Sequence, residues 1–96
     1  MDIISYSTQC IEQDDIDGVV AILQGNFLAQ GAKVEEFEKA LSEYTGAKHA
    51  ITFNSATSAL FGAYSVSGIT QDDEVITTPI SFVATSNMLI ELGAIP

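Results

Sequence analysis

Residues 49–58 are His49-Ala50-Ile51-Thr52-Phe53-Asn54-Ser55-Ala56-Thr57-Ser58, a short apolar run followed by a polar turn. Apolar residues at helical spacing follow the turn as far as Gly68, so this stretch predicts a strand, a turn and a helix. The same order recurs with a strand at Glu74–Thr78, a turn at Pro79-Ile80-Ser81 and a helix at Phe82–Leu92. Strands that alternate with helices are typical of a mostly parallel sheet with right-handed crossovers, so we predict an α/β fold.

Two helices are predicted ahead of these strand and helix units. In the first, Asp14-Asp15 offers an N-cap, and apolar residues recur at helical spacing up to Leu23. The second has an apolar face and an acidic face, and it ends at Gly46. Its apolar face comprises Val34, Phe37, Leu41 and Tyr44, and its acidic face comprises Glu35, Glu36, Glu38 and Glu43.

The predicted sheet is small. Two strands are too few for a stable parallel sheet, because such strands need neighbours and two covered faces. The last residues, Ala94-Ile95-Pro96, stand where a turn is expected to deliver the next strand. We therefore expect residues 1–31 to form an N-terminal segment with the first helix, and residues 32–96 to begin a larger domain that is incomplete here.

The charge balance restricts the partners. Thirteen acidic residues face three lysines and no arginine, which gives a net charge of -10. Nucleic acid and anionic membranes are bound mainly through clusters of lysine and arginine, so we expect neither as a partner. No apolar stretch approaches the roughly 18 residues that cross a bilayer. Residues 1–5 lack the basic segment of a signal peptide, so we expect a cytoplasmic location.

The turn at residues 54–58 is the first candidate site. It places small hydroxyl side chains at the start of a helix directly after a strand, where backbone N–H groups and the helix dipole favour a phosphate. The alternative is an ordinary N-cap in which Ser55 or Thr57 satisfies the end of the helix. The next strand-to-helix turn should emerge at the same edge of the sheet. Phe82 then either stacks on a flat ring there or packs in the core.

Other polar residues carry weaker signals. His49 has no Ser, Cys or carboxylate at a useful spacing, and Asp72-Asp73-Glu74 reads as a solvated turn. The single Cys10 has no basic neighbour in sequence and is expected to be inert. The chain has no paired histidines, no CxxC and no GxxxxGK motif, so we predict neither a metal site nor a Walker-type nucleotide site.

Several segments, in order, resemble the opening third of the DegT/DnrJ-type aminotransferases, which act on sugar nucleotides with pyridoxal 5'-phosphate (PLP). The segments are Gln30-Gly31 with Val34 and Phe37-Glu38, Tyr44 to Ala50, Ser55 to Leu60, Asp73 to Ile76, and Pro79 with Ser81 to Thr85. Tyr6-Ser7, Asn54 and Thr77 to Thr85 are most similar to the branch that serves pseudaminic acid biosynthesis. Its transaminase aminates C4 of a UDP-linked 4-keto-6-deoxy sugar with glutamate as the donor.

The resemblance implies the N-terminal part of a fold-type-I PLP enzyme. It places Ser55, Ala56 and Thr57 at the cofactor phosphate and Phe82 on the pyridine ring. The positions that match sugar-nucleotide contacts are Tyr6, Asn26, Phe27, Leu28 and Ala29. In this family the active site is shared across a homodimer, so early residues are expected to serve the partner subunit's site.

The resemblance also implies what this chain lacks. None of Lys33, Lys39 and Lys48 matches the family's Schiff-base position, and the acid that binds the pyridine nitrogen has no counterpart. We therefore predict no catalytic residue here and expect the chain alone to be inactive. Two alternatives stay open: a non-catalytic fragment that pairs with a full-length aminotransferase subunit, and a module that holds a phosphate without chemistry.

Overall fold

Four helices form the framework of the protein. The computed structural model describes residues 5–29 and 31–96. Within these residues the helices are α1 (Gln13–Leu23), α2 (Ala32–Thr45), α3 (Ala56–Val66) and α4 (Ala84–Glu91). All four predicted helices are therefore present. Residues 1–4, which belong to the predicted N-terminal segment, and Gln30 of the Gln30-Gly31 pair lie outside the described residues.

The two predicted strands differ from the structure. Among the described residues, the pairing between extended segments is one isolated parallel bridge, which joins Glu74 to Ile95. There the Val75 N–H donates to the Ile95 carbonyl at 2.9 Å, and the Ile95 N–H donates to the Asp73 carbonyl at 2.8 Å. A strand requires a ladder of such bonds, and residues 49–53 have none. The bridge has the predicted parallel direction, but the sheet itself is not formed by these residues.

The end of α4 creates this bridge. The Ala94 N–H donates to the Leu89 carbonyl at 3.0 Å and the Gly93 N–H to the Ile90 carbonyl at 2.9 Å, which is a Schellman motif. Gly93 adopts a φ of 80°, a left-handed conformation that favours glycine. A Cβ at this residue would also lie 3.3 Å from the Cα of Gln71. The sharp reversal at Gly93 therefore brings Ile95 beside Glu74.

The N-cap residue of α1 differs from the predicted one. Glu12 is the N-cap residue, and its N–H donates to a carboxylate oxygen of Asp15 at 3.0 Å. The prediction that Asp14-Asp15 caps the helix is wrong, because both residues lie inside its first turn. Acidic side chains are favourable there because the N-terminal end of a helix carries a partial positive charge.

The core lies where α3 and α4 meet. These two helices are in contact, and the buried apolar residues among those described are Ala84, Leu89 and Ala94. The accessible surface is 8447 Å², whereas a compact monomer of this size exposes about 5,300 Å². The radius of gyration is 18.0 Å, whereas about 12–13 Å is expected of a compact domain of this length. The architecture is therefore open, and the apolar face of α2 is exposed.

Two glycines within helices allow a direct test of the packing between residues 49–53 and α3. A Cβ at Gly62 would lie 2.7 Å from Cζ of Phe53, whereas a Cβ at Gly18 of α1 would meet nothing within 4 Å. We expect Gly18→Ala to raise the free energy of unfolding by roughly 0.5–1 kcal/mol, because alanine is the better helix former. Gly62→Ala should gain less or destabilise, because the Phe53 ring must move. Urea titrations followed by circular dichroism measure both, and equal gains would contradict the packing of Phe53 on Gly62.

Candidate functional site

Ser55 caps the N-terminus of α3. Its backbone is extended, and its Oγ accepts a hydrogen bond from the Ser58 N–H at 3.1 Å. The Ser55 carbonyl accepts the first helical bond, from the Ala59 N–H at 3.0 Å. The N-cap alternative is thus confirmed for Ser55, whereas Thr57 is a half-buried residue of the first turn.

The cap leaves two backbone donors available. Among the hydrogen bonds of the described residues, none uses the N–H of Ala56 or Thr57. These are the first two helical residues, whose N–H groups have no partner within a helix and carry its positive end. The small Ala56 side chain is exposed beside them. The turn can therefore be capped by Ser55 and still accept an anion.

A side-chain network fixes the shape of this turn. The Ser58 hydroxyl donates to Oδ1 of Asn54 at 3.0 Å and also lies 3.0 Å from the Ser55 hydroxyl. Sequence reasoning gave Asn54 and Ser58 no such roles. The signal was their spacing of four residues across a helix start, which suits a hydrogen bond between side chains.

The second turn, Pro79-Ile80-Ser81, is followed by Phe82, whose side chain is exposed. The Thr78 Oγ1 accepts from the Ile80 N–H at 3.2 Å, and the Ser81 and Thr85 hydroxyls are 3.1 Å apart. The Thr85 N–H donates to the Phe82 carbonyl at 3.1 Å, so α4 begins at Ala84 and not at Phe82. The Phe82 side chain is 76% exposed, which rules out the core alternative for it within the described chain.

A groove lies between residues of α3 and α4 beside the first turn. Its volume is about 440 Å³, and it reaches Thr57 of the first turn. The groove is lined by Phe53, Thr57, Ser58, Phe61, Gly62, Met88 and Glu91. Phe82 is not among these residues. The structure therefore brings the first turn against α4 without placing Phe82 in the same cavity.

The residues predicted to touch a sugar nucleotide lie elsewhere. Tyr6 is fully exposed in the segment ahead of α1, and residues 26–29 form the connection between α1 and α2. Asn26, Phe27 and Leu28 line a cavity of about 290 Å³ with residues of both helices, and Ala29 is exposed. Within residues 5–29 and 31–96, neither α1 nor α2 contacts α3 or α4. The two predicted groups of site residues are thus not brought together.

The lysines lie away from both turns. Lys33 pairs with Glu36, and Lys39 lies 3.9 Å from Glu43, and all four side chains are exposed along α2. In the part of the chain that the structure describes, no cluster of His, Cys, Asp and Glu suits a metal ion. The described helices also include none with the length and apolar content needed to cross a membrane.

Glu38 forms a contact that sequence reasoning missed. One of its carboxylate oxygens accepts from both the N–H and the hydroxyl of Thr52, each at 2.8 Å. The sequence placed Glu38 on the acidic face of α2, and the structure shows that its side chain is half-buried. The backbone N–H of Thr52, and then its hydroxyl, lower the pKa of Glu38, because both donors favour the charged carboxylate. Thr70 lowers the pKa of Asp73 in the same way.

Comparison with known proteins gives a consistent result. A sequence model of the DegT/DnrJ/EryC1/StrS aminotransferase family matches residues 9–96. UDP-4-amino-4,6-dideoxy-N-acetyl-beta-L-altrosamine transaminases are similar: that of Campylobacter jejuni strain 81-176 is 50% identical over 95% of this chain and 24% of its own length. The Helicobacter pylori protein of that name is 49% identical over 96% of this chain and 25% of its own length.

Solved structures agree with the sequence comparison. A Streptococcus pneumoniae protein described as a sugar aminotransferase, solved in PMP and PLP forms, superposes with a TM-score of 0.85 at 32% identity. The match covers 97% of this chain and 24% of that one. The chain spans about a quarter of the length of the curated relatives it matches. The family predicted from the sequence is confirmed.

The effects of the two Thr52 donors on the pKa of Glu38 can be separated experimentally. A lowered carboxyl pKa stabilises the folded arrangement above the ordinary pKa, and that contribution is lost as the pH falls through the folded value. Thr52→Val removes the hydroxyl and keeps the N–H, so the pKa of Glu38 should rise but stay below its ordinary value. Thr70→Val is the matched control and should raise the pKa of Asp73 alone. Carbon NMR titration of the carboxyl groups measures both, and an unchanged Glu38 in Thr52→Val would contradict the contact.

Proposed function

The chain belongs to the DegT/DnrJ/EryC1/StrS aminotransferase family, and we propose that it supplies the phosphate turn and one ring contact of a PLP site in a sugar-nucleotide aminotransferase. The observation that carries this proposal is the capped start of α3, where the N–H groups of Ala56 and Thr57 stay available. The solved relative in its PLP form supports the same cofactor.

The residues at the turn fit a phosphate ester. Ala56 and Thr57 offer two N–H donors at the positive end of α3, and the Thr57 and Ser55 hydroxyls lie in the same turn. No arginine is present in the sequence, and the lysines on α2 pair with glutamates. The turn therefore holds the phosphate with neutral donors, so its own affinity should be modest.

Phe82 fits the second part of the site. Its exposed ring follows the turn at residues 78–81, where stacking on a flat heterocycle removes apolar surface from water. The cofactor, when bound, supplies the electron sink for amino transfer. The role of this chain is to hold the phosphate and to cover one face of the ring.

The substrate in this proposal is a UDP-linked 4-keto-6-deoxy sugar, aminated at C4 with glutamate as the donor, as in pseudaminic acid biosynthesis. The support is the names of the Campylobacter jejuni and Helicobacter pylori relatives, which describe a UDP-linked 4-amino-4,6-dideoxy sugar. Tyr6 and residues 26–29 are the proposed sugar contacts. Their separation from α3 and α4 suits an active site that two subunits of a homodimer share.

In this proposal, the amino transfer itself is assigned to no residue of this chain. Lys33 and Lys39 are engaged on α2, and Lys48 follows α2 at the far end of the segment that leads to the phosphate turn. We therefore expect the 96 residues alone to bind the cofactor without transferring an amino group.

A second candidate is a non-catalytic fragment that pairs with a full-length aminotransferase subunit. The exposed apolar face of α2 and the large accessible surface favour it, because such a face needs a cover. Such a fragment has no need of a phosphate at Ala56 and Thr57, so the two candidates differ in the binding experiment that follows.

The phosphate turn can be tested with inorganic phosphate and the ¹⁵N-labelled chain. We expect saturable shifts at the Ala56 and Thr57 amides. Ser55→Ala should weaken binding by about fivefold, because losing an N-cap costs about 1 kcal/mol. Ser55→Asp should keep the cap and abolish binding through charge repulsion. Ser65→Ala, whose hydroxyl bonds to the Phe61 carbonyl farther along α3, is the control. Undisturbed binding in Ser55→Asp would contradict the assignment.

The ring contact can be tested by comparing PLP with inorganic phosphate. Phe82→Ala should weaken PLP binding by roughly 2- to 10-fold, because stacking contributes about 0.5–1.5 kcal/mol. The affinity for inorganic phosphate should not change. Ile80→Ala is the control, since Ile80 is a 91% exposed neighbour in the same turn. An equal loss for both ligands in Phe82→Ala would show that the residue shapes the turn and does not contact the ring.

A further inference from the structure

Residues 49–53 run into the phosphate turn without a neighbouring strand. No ladder bonds them in the described residues, so the N–H of Thr52 needs another acceptor. Glu38 is that acceptor, and it takes the hydroxyl of Thr52 as well. Fourteen residues separate the two, so this contact joins α2 to the segment that leads into the turn.

A second contact joins the residue after Thr52 to α3. The next residue, Phe53, places its ring over Gly62 of α3, so closely that a Cβ there would lie 2.7 Å from Cζ. Asn54 then accepts from Ser58, and Ser55 caps the helix. The segment is therefore fixed on one side to α2 and on the other to α3 immediately before the available N–H groups.

We propose that Glu38 is a positioning residue for the phosphate turn: through Thr52 it fixes where residues 53–55 meet α3, and so where the N–H groups of Ala56 and Thr57 are held. This inference rests on the proposed function, because it assigns a support to the same phosphate site. Glu38 itself touches neither turn residue Ala56 nor Thr57 among the described hydrogen bonds.

The chemistry of the contact suits this role. Hydrogen bonds to a charged acceptor are shorter and stronger than bonds between neutral groups. The donors of Thr52 lower the pKa of Glu38, so the carboxylate is charged at neutral pH. The other glutamates of α2, Glu35, Glu36 and Glu43, are exposed, and two of them pair with lysines on the same helix. Glu38 is the one among them that holds a distant backbone group.

The test compares Glu38→Ala, Glu38→Gln and the control Glu35→Ala in the same chain. Amide hydrogen exchange is read at Thr52 and Ser58, and inorganic phosphate affinity is read from the Ala56 and Thr57 amide shifts. In Glu38→Ala, exchange at Thr52 should rise by about tenfold, exchange at Ser58 should rise too, and phosphate should bind several-fold more weakly. Glu38→Gln should restore most of each value, because its amide oxygen can accept both bonds. Glu35→Ala should match the unsubstituted chain.

Each other outcome is decisive. Exchange at Thr52 that is unprotected in the unsubstituted chain, or unchanged in Glu38→Ala, overturns the inference. Faster exchange with unaltered phosphate affinity also overturns it, because Glu38 is then only a structural contact. If the unsubstituted chain binds no phosphate, the proposed function fails. The positioning role is then judged at Ser58 alone, where exchange must rise in Glu38→Ala and recover in Glu38→Gln.

Discussion

The conformation of this chain depends on side-chain oxygens that accept hydrogen bonds from backbone N–H groups, because the described residues form no sheet. Glu38 and Asp73 do this in the same manner, because each directs one carboxylate oxygen at both the N–H and the hydroxyl of a threonine. Ser55 satisfies the N–H of Ser58 at the start of α3. The bond to Thr52 is partly buried and the bonds to Thr70 and Ser58 are exposed, so these side chains order segments that are not held by a strand ladder among the described residues.

Most of the apolar surface, unlike these hydrogen-bonded groups, has no partner among the described residues. The described residues bury Leu89 and two alanines near the contact of α3 with α4, while the apolar residues of α2 remain exposed. A net charge of -10 opposes association between copies through such a surface, because like charges repel. Hydrogen bonds therefore fix the backbone at the turns. The exposed apolar surface, by contrast, is suited to further packing.

Local sequence signals predicted the helices well, whereas the predicted sheet is represented among the described residues by one parallel bridge. Helical periodicity and the glycines at 46, 68 and 93 located the ends of the four described helices to within a few residues. These signals depend on residues that are close in sequence. Residues 49–53 have a strand-like composition, but pairing depends on a partner distant in sequence, and among the described residues the one such pair is Glu74 with Ile95. Glu38 was missed for a related reason. Periodicity shows that a glutamate lies on a polar face, not that it meets a threonine fourteen residues away.

The two interpretations of the turn at residues 54–58 were set against each other at the sequence level, and the structure shows that they are compatible. A helix start presents several N–H groups without helical partners, and one serine side chain satisfies only one of them. The Ser55 Oγ accepts a hydrogen bond from the Ser58 N–H, so the cap orders the first turn. The N–H groups of Ala56 and Thr57 have no hydrogen-bond partner among the described residues. In the proposed function, capping would fix the direction of those two groups before any anion binds. The same argument explains why Thr57 does not need to cap: a second capping side chain would compete for the donors that make the turn suitable for a phosphate.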